Sequence, residues 1–246
     1  MSHAGPNTQL KPHFVRTSEL GEQVRSKMFN LLSASFDCVD RYQFDKDLNE
    51  KNEVLLLSSD SGKLRGFSTL QFWDEDFEGE PLRILFSGDT IIDSKHWGTQ
   101  SLAFSWIQRA GSLKLDAPHR RLFWFLIVKG HRTYRYLPTF AVKFHPDWRS
   151  AEDAWLKRLA DHLASSKFGS QYNQDLGVIH FNSSKGQLVP ELAEPRPCES
   201  SRPEVEYFLK RNPGYREGDE LVCVCELAES NLRPIARRVF RRGTAS

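Results

Sequence analysis

The chain has little cysteine and no residue spacing that is typical of a metal site. Its four cysteines, Cys38, Cys198, Cys223 and Cys225, include no CxxC pair. The histidines form no HxxxH or HExxH pair, which argues against a zinc enzyme, and we predict no metal ligands. GxSxG and GxxxxGK[ST] motifs are missing too. So few cysteines favour a reducing compartment, and we expect a cytoplasmic protein. Cys223 and Cys225 are predicted to be small buried hydrophobes, with a redox or metal role as the alternative.

Long apolar runs and a strong net charge are missing as well. No segment approaches the roughly 20 apolar residues of a membrane helix, so we expect no transmembrane span. Residues 1–12 are polar, lack the apolar core of a signal peptide and are predicted to be flexible. The 34 Lys+Arg and 32 Asp+Glu residues leave a net charge of +2, which predicts no nucleic-acid partner. The arginines between positions 237 and 242 are therefore expected to be a solvated basic tail.

Large apolar side chains are abundant instead. The 246 residues include 17 Phe, 6 Trp and 6 Tyr, and 39% of the chain is hydrophobic. This composition suits one or two globular domains with a substantial core. It excludes a disordered chain but indicates no chemistry.

Apolar spacing along the chain predicts strands that alternate with helices. Residues 54–73 read as a hairpin that turns near residues 60–62, and residues 82–93 as a third strand. A helix is predicted from Gly98 to Lys114, and another over residues 132–144 that Pro138 should break or kink. Residues 121–128 are all apolar after the first, which is typical of a central strand covered on both faces.

The predicted fold class is therefore α/β (α+β), with a mixed, mostly antiparallel central sheet and helices on both faces. We assign residues 13–148 to the core and residues 149–246 to a C-terminal α+β extension that packs on it. The extension combines a helix near residues 151–166, a Pro-rich stretch at residues 186–203 and a return strand at residues 220–227. The Pro-rich stretch is predicted to be a loop or lid, and the return strand to cover an open sheet edge.

Short motifs in the core resemble the GCN5-related N-acetyltransferase (GNAT) superfamily, taken broadly to include N-acyl amino acid and acyl-homoserine-lactone synthases. The hairpin with Gly66 is similar to the second and third strands of that fold, and residues 84–93 to its fourth. Residues 95–102 are similar to its strand-to-helix loop, and residues 122–136 to its fifth strand and following helix. The resemblance covers roughly residues 13–148 and implies an N-acyltransferase with no tightly bound cofactor.

In this superfamily the strand-to-helix loop captures phosphate groups of the donor. Backbone N–H groups at a helix N-terminus face the pyrophosphate of an acyl-CoA, and glycine lets the backbone approach. The nearest match here is Lys95-x-x-Gly98-x-Gln100, where Lys replaces Arg or Gln and Gln100 replaces a small residue. The resemblance assigns donor binding to Lys95, Trp97, Gly98, Thr99 and Gln100. The donor is either an acyl-CoA or an acyl-carrier protein, and a simple turn glycine is the alternative for Gly98.

The resemblance also suggests the residues for acyl transfer to an amine. Tyr136, or else Tyr134, follows the fifth strand where the superfamily often has its acid. Candidate bases are Asp89, Asp93 and His96, and the four-residue spacing predicts that both aspartates point the same way.

Two further aspartates, Asp45 and Asp47, precede the second strand of the superfamily pattern and are predicted to contact the amine acceptor. The alternative is a solvated acidic helix face. The acceptor is a small or lipid-like amine, and the aromatic surplus suits an apolar tunnel. For the whole chain, the alternative to catalysis is a binding or regulatory module with the same fold.

Overall fold

The computed structural model describes residues 10–181 and 185–245. The predicted flexible N-terminus lies mostly outside these residues, and its last two positions, Lys11 and Pro12, already belong to a strand. No helix in the described part of the chain is both long and apolar enough to cross a membrane.

The described residues include ten strands. They are β1 (Lys11–Arg16), β2 (Phe36–Asp37), β3 (Glu53–Ser58), β4 (Leu64–Phe77), β5 (Glu80–Ile92), β6 (Arg121–Val128), β7 (Tyr172–Asn173), β8 (Val178–Ile179), β9 (Gln187–Leu188) and β10 (Glu220–Glu226). Eight of them join one sheet in the order β1-β3-β4-β5-β6-β10-β8-β7, and β2 pairs with β9. Every neighbouring pair is antiparallel except β5 and β6.

Helices cover both faces of this sheet, so the predicted fold class is confirmed. The α-helices are α1 (Glu22–Ser33), α2 (Arg41–Asn49), α3 (Ser101–Asp116), α4 (His131–Tyr134), α5 (Tyr136–Phe140), α6 (Ala154–Phe168), α7 (Pro190–Ala193), α8 (Pro203–Arg211) and α9 (Pro234–Thr244). Single 3-10 turns lie at Thr17–Glu19, Ser94–His96, Gly169–Gln171 and Tyr215–Glu217.

Alternating side chains divide the core between the two faces of the sheet. Leu85 and Trp124 point to the face that α3, α5 and α9 cover. Their strand neighbours Phe86 and Phe125 point to the opposite face, where α6 packs. Further along that sheet, α1 and α2 cover Val54 and Leu56 of β3. The sheet is therefore buried on both sides, as the all-apolar sequence of β6 predicts.

Three of the predicted elements differ in the structure. The helix expected from Gly98 begins at Ser101, because Gly98 has a φ of +89°, which an α-helix does not accommodate. The helix expected over residues 132–144 is two short helices, α4 and α5. Pro138 falls in the first turn of α5, where its missing N–H has no intrahelical partner to lose. The Pro-rich stretch is not a bare loop: it contains β9 and α7, and Pro190 occupies the first turn of α7.

The residues after 148 are part of the same sheet. Strand β10 pairs antiparallel with β6 along six residues and with β8 on its other side. Helix α9 packs on α3 at two glycines. A Cβ added to Gly111 would clash with the carbonyl oxygen of Phe240 and lie 3.2 Å from the Cα of Gly243. The two backbones are therefore too close for any side chain at this crossing.

We predict that Gly111→Ala destabilises the protein by about 1–3 kcal/mol, the usual cost of forcing extra atoms into a packed core. Helix propensity alone would predict a more stable variant, because Ala inside a helix is about 1 kcal/mol more favourable than Gly. Chemical denaturation measures the change. The exposed Arg238→Ala, on α9, is the control and should change the unfolding free energy by less than about 0.5 kcal/mol. A more stable Gly111→Ala variant would contradict the close packing of α3 and α9.

Candidate active site

The parallel strands β5 and β6 separate before they end. Their pairing runs from Leu82 opposite Arg121 to Ser87 opposite Leu126, while β5 continues to Ile92 and β6 to Val128. On its other side β5 has an irregularity against β4. Ser68 pairs with Thr90 but Leu70 pairs with Ser87, so β5 has one residue more than β4 over this stretch. Such a β-bulge bends its strand, and this one lies where β5 leaves β6.

A cavity of about 750 Å³ occupies this opening. Phe104, Ile107 and Phe140 line it from the face of the sheet that α3 covers. Phe86 and Phe168 line it from the face that α6 covers. Because its walls include side chains from both faces, the cavity passes through the sheet between β5 and β6.

The strand-to-helix loop forms one end of the cavity. Trp97, Gly98, Thr99 and Gln100 all line it, just before α3 begins. The backbone N–H groups of Gly98 and Gln100 donate to no other described residue. The guanidinium carbon of Arg132 lies 5.6 Å from the centre of the Trp97 ring. This end therefore offers free N–H groups, a helix N-terminus and a cation, which together suit an anionic group.

Asp89 lies in the β5 bulge and lines the cavity. Its carboxylate accepts no hydrogen bond from the described residues. None of their lysine, arginine or histidine side chains has a nitrogen within 4.0 Å of it. Burial raises the pKa of Asp89 above its ordinary value of 3.8, although Lys129 and Lys51 oppose the shift. A carboxylate with a raised pKa is a stronger base than an ordinary aspartate.

Two lysines approach the same wall from different elements. Lys51 follows α2 and Lys167 lies in the last turn of α6. Their Nζ atoms lie 5.5 and 5.0 Å from the centre of the Phe86 ring. Burial, and then the positive charge of Lys167, lower the pKa of Lys51. A Cβ at Gly88 would lie only 2.9 Å from Cε of Lys51, so glycine in the bulge makes room for this lysine.

A buried ion pair completes this region. Lys129, just after β6, has its Nζ atom 3.4 Å from a carboxylate oxygen of Glu220, the first residue of β10. Both side chains line the cavity. Burial raises the pKa of Glu220, and Lys129 opposes that shift. The C-terminal extension thus supplies an acidic group to the cavity wall beside a lysine of the core.

Tyr136 lines the cavity on the α3 side and stacks on Phe140 with ring centres 5.5 Å apart. Its hydroxyl donates to no described residue. Burial raises the pKa of Tyr136, so the hydroxyl keeps its proton and can donate it. Tyr134 differs: its hydroxyl donates to the carbonyl oxygen of Pro146 at 2.7 Å, and its side chain is fully buried.

The other predicted bases lie outside the cavity wall. Asp93 follows the end of β5, where it accepts hydrogen bonds from the Lys95 backbone and from Arg65. Burial would raise the pKa of Asp93, but these two bonds lower it overall. The bulge and the strand end interrupt the alternation from which Asp89 and Asp93 were expected to point the same way, and of the two only Asp89 lines the cavity. His96 and Lys95 belong to the same 3-10 turn and are not among the lining residues.

The two predicted acceptor-binding aspartates also separate. Asp47 lines the cavity, accepts a hydrogen bond from Gln43 at 2.8 Å and lies 3.6 Å from Nζ of Lys185. Asp45 instead forms an ion pair with Arg41 at 2.6 Å along α2 and lies outside the wall. The two side chains are about equally exposed, at 31% and 32%, so solvation does not separate them, and only Asp47 faces the cavity.

The segment 186–203 forms part of the cavity wall through Leu188, Leu192, Arg196 and Glu199. Glu199 is 6% exposed and lies among three guanidinium groups at 3.2–3.7 Å, those of Arg132, Arg135 and Arg196. Hydrogen bonds from Arg132 to the carbonyl oxygens of Leu192 and Glu194 hold the same segment. These contacts attach it to α4, next to the strand-to-helix loop.

A scan against protein-family models finds no match for the chain, and a search of the curated proteins finds none. Among solved structures, a conserved protein of unknown function from Enterococcus faecalis V583 is 13% identical, with a TM-score of 0.41 over 55% of this chain and 33% of its own. The GNAT family N-acetyltransferase YhbS from Escherichia coli, in complex with CoA, is 19% identical, with a TM-score of 0.38 over 56% of this chain and 72% of its own.

A third structure is the ribosomal-protein-alanine N-acetyltransferase from Brucella melitensis. It is 15% identical, with a TM-score of 0.40 over 59% of this chain and 98% of its own. The chain thus spans a third of the Enterococcus protein and nearly all of the Brucella one. At these TM-scores the likeness supports no functional conclusion.

The raised pKa of Asp89 predicts that Asp89→Asn stabilises the protein at neutral pH. The pKa of Asp89 is higher in the folded protein than in the unfolded chain. The group therefore makes its full contribution to the free energy of unfolding below pH 3.8, and this contribution is lost as the pH rises through the pKa of the folded protein. Asn removes the buried charge. We expect a higher Tm for the variant at pH 7, and a gain that shrinks as the pH falls. Asp175→Asn, an exposed turn residue, should leave Tm unchanged. A lower Tm for Asp89→Asn at pH 7 would show that the carboxylate is stabilised as an anion.

Proposed function

We propose that the protein is an N-acyltransferase that moves an acyl group directly from a thioester donor to an amine. The observation that carries this proposal is the cavity that passes through the sheet where β5 and β6 part. In this proposal the donor and the acceptor enter the cavity from opposite faces of the sheet. Direct transfer requires both substrates in one site at the same time.

The donor enters along the strand-to-helix loop. An acyl-CoA pyrophosphate would accept hydrogen bonds from the free N–H groups of Gly98 and Gln100, helped by the dipole of α3 and the charge of Arg132. A phosphopantetheine arm then fits between the strands, where the facing edges of β5 and β6 are not paired with each other beyond Ser87 and Leu126. An acyl-carrier protein is the second candidate donor, since its prosthetic group has a single phosphate.

The reaction uses Asp89 and Tyr136, whose side chains face the cavity and form no hydrogen bond with the described residues. Asp89 takes a proton from the ammonium of the acceptor, and the neutral amine attacks the thioester carbonyl carbon. The C–S bond then breaks, the hydroxyl of Tyr136 protonates the departing thiolate, and the resulting tyrosinate takes up the second proton that the nitrogen loses as the amide forms. A backbone N–H on one of the open strand edges would polarise the carbonyl oxygen.

The test of this proposal measures the release of free thiol from acetyl-CoA and from longer acyl-CoAs in the presence of a panel of amines. Calorimetry with CoA alone measures donor binding. Thiol release that depends on the amine supports the transferase. Binding of CoA without thiol release for any donor and amine would assign the non-catalytic alternative.

We predict that Tyr136→Phe lowers kcat by about 10²–10⁴-fold with little change in KM, since a general acid contributes about that much. Tyr134→Phe is the matched control on the neighbouring helix. It loses the hydrogen bond to Pro146 and should lower stability by about 0.5–1.5 kcal/mol without lowering kcat. Equal kcat values for Tyr136→Phe and the unmodified protein would remove Tyr136 from the mechanism.

A separate prediction concerns the pH dependence of kcat/KM. If Asp89 is the base, kcat/KM rises with pH through the raised pKa of this carboxyl and levels off above it. Asp89→Asn should lower kcat/KM by about 10²–10⁴-fold and abolish this rise. A pH profile that is the same in the variant and the unmodified protein would assign the base to another group.

A further inference from the structure

The charged side chains at the α6 end of the cavity almost all have a partner of opposite sign. Three lysine–carboxylate pairs lie within 4 Å: Lys129 with Glu220 at 3.4 Å, Lys185 with Asp47 at 3.6 Å and Lys167 with Glu50 at 3.7 Å. Two lining residues lack such a partner among the described residues, and they have opposite charges: Lys51 and Asp89.

Lys51 is buried and its side chain forms no ion pair. The residue is 9% exposed, and its ammonium group donates one hydrogen bond to a described residue, to the carbonyl oxygen of Asp47 at 3.0 Å. A carbonyl oxygen leaves the ammonium charge uncompensated, and a buried unpaired charge is costly unless something completes it. No carboxylate of the described chain lies within 4.0 Å, so the chain itself does not complete this site.

A second polar group beside Lys51 lacks a partner. The hydroxyl of Thr69 on β4 is buried, at 1% exposure of the residue, and forms no hydrogen bond. It lines the same cavity. Thr69 and Lys51 are neighbours, because both lie against the position that a Cβ at Gly88 would occupy. Asp89 is the next residue, so the two donors and the carboxylate meet around one short stretch of β5.

We infer that the acceptor is a zwitterion, an amine that also carries a carboxylate or a phosphate. Its anionic group binds Lys51 and the Thr69 hydroxyl, and its ammonium group faces Asp89. This assignment rests on the proposed acyltransferase function and adds to it the chemical class of the acceptor. Such a ligand satisfies all three unpartnered groups at once, whereas a simple amine leaves Lys51 buried without a counter-charge.

The first test compares matched acceptors in the unmodified protein. Thiol release from acetyl-CoA is measured with amino acids and with their carboxamides, and with 2-aminoethyl phosphate and ethanolamine. We expect kcat/KM to be about 10–100-fold higher for the anionic member of a pair, the usual penalty for leaving a buried charged donor unpaired. A preference in the first pair identifies a carboxylate, and one in the second a phosphate. Equal values within both pairs overturn the inference.

The second test locates the anion. Lys51→Met should remove the preference, lowering the ratio of kcat/KM for the anionic acceptor to kcat/KM for the uncharged partner about 10–100-fold. Lys51→Gln, which can still donate to Asp47, serves if the Met variant does not fold. Lys46→Met, exposed on α2, is the matched control. An equal loss for both acceptors overturns the inference and gives Lys51 a role in the reaction itself.

Calorimetry without a donor separates the failure of this inference from failure of the proposed function. If no amine releases thiol, the transferase proposal fails. The acceptor class is then decided by binding alone. Tighter binding of the anionic ligand, lost in Lys51→Met, supports the zwitterion site, and equal binding or none overturns it.

Discussion

The separation of β5 from β6 is the constraint on which the candidate site depends. Two parallel strands in the middle of a sheet normally pair along their shared length, yet here the pairing stops at Ser87 and Leu126 while both strands continue. The bulge around Gly88 bends β5 away from β6, and glycine lets Lys51 approach the bend. Without this opening the sheet would be a closed barrier between two apolar cores, and no cavity would connect its faces.

The strands and helices with strong local patterns could be predicted from the sequence. The hairpin of β3 and β4, the all-apolar β6 and the return strand β10 each combine a clear period with a nearby turn signal. The strands β7, β8 and β9 could not be predicted, because each has only two residues and so shows no alternation of apolar and polar positions. The division between α4 and α5 was also missed, because a proline in a first turn reads as a break in a longer helix.

The candidate site was only partly predictable, for a different reason. Gly98, Asp89 and Tyr136 were predicted from their places in the strand-to-helix loop, on the fourth strand and after the fifth, and all three line the cavity. Lys51 and Lys167 belong to elements more than 100 residues apart, and only folding brings both to the Phe86 ring. One signal in the sequence was overlooked. Glu220 is a charged residue directly before an apolar run, Leu221 to Cys225. A carboxylate that is buried at such a position is expected to have a partner of opposite charge.

The place of β10 in the sheet has a consequence for how the protein is made. Strand β10 lies between β6 and β8, and its Glu220 pairs with Lys129 at the cavity wall. A nascent chain that has just completed β6 therefore has the strand-to-helix loop and Asp89 but an unpaired β6 edge, and the cavity lacks the walls that Tyr136, Phe168 and Glu220 supply. The site therefore forms only after β10 has been synthesised. Until then the earlier part of the chain is incompletely folded and exposes an unpaired strand edge.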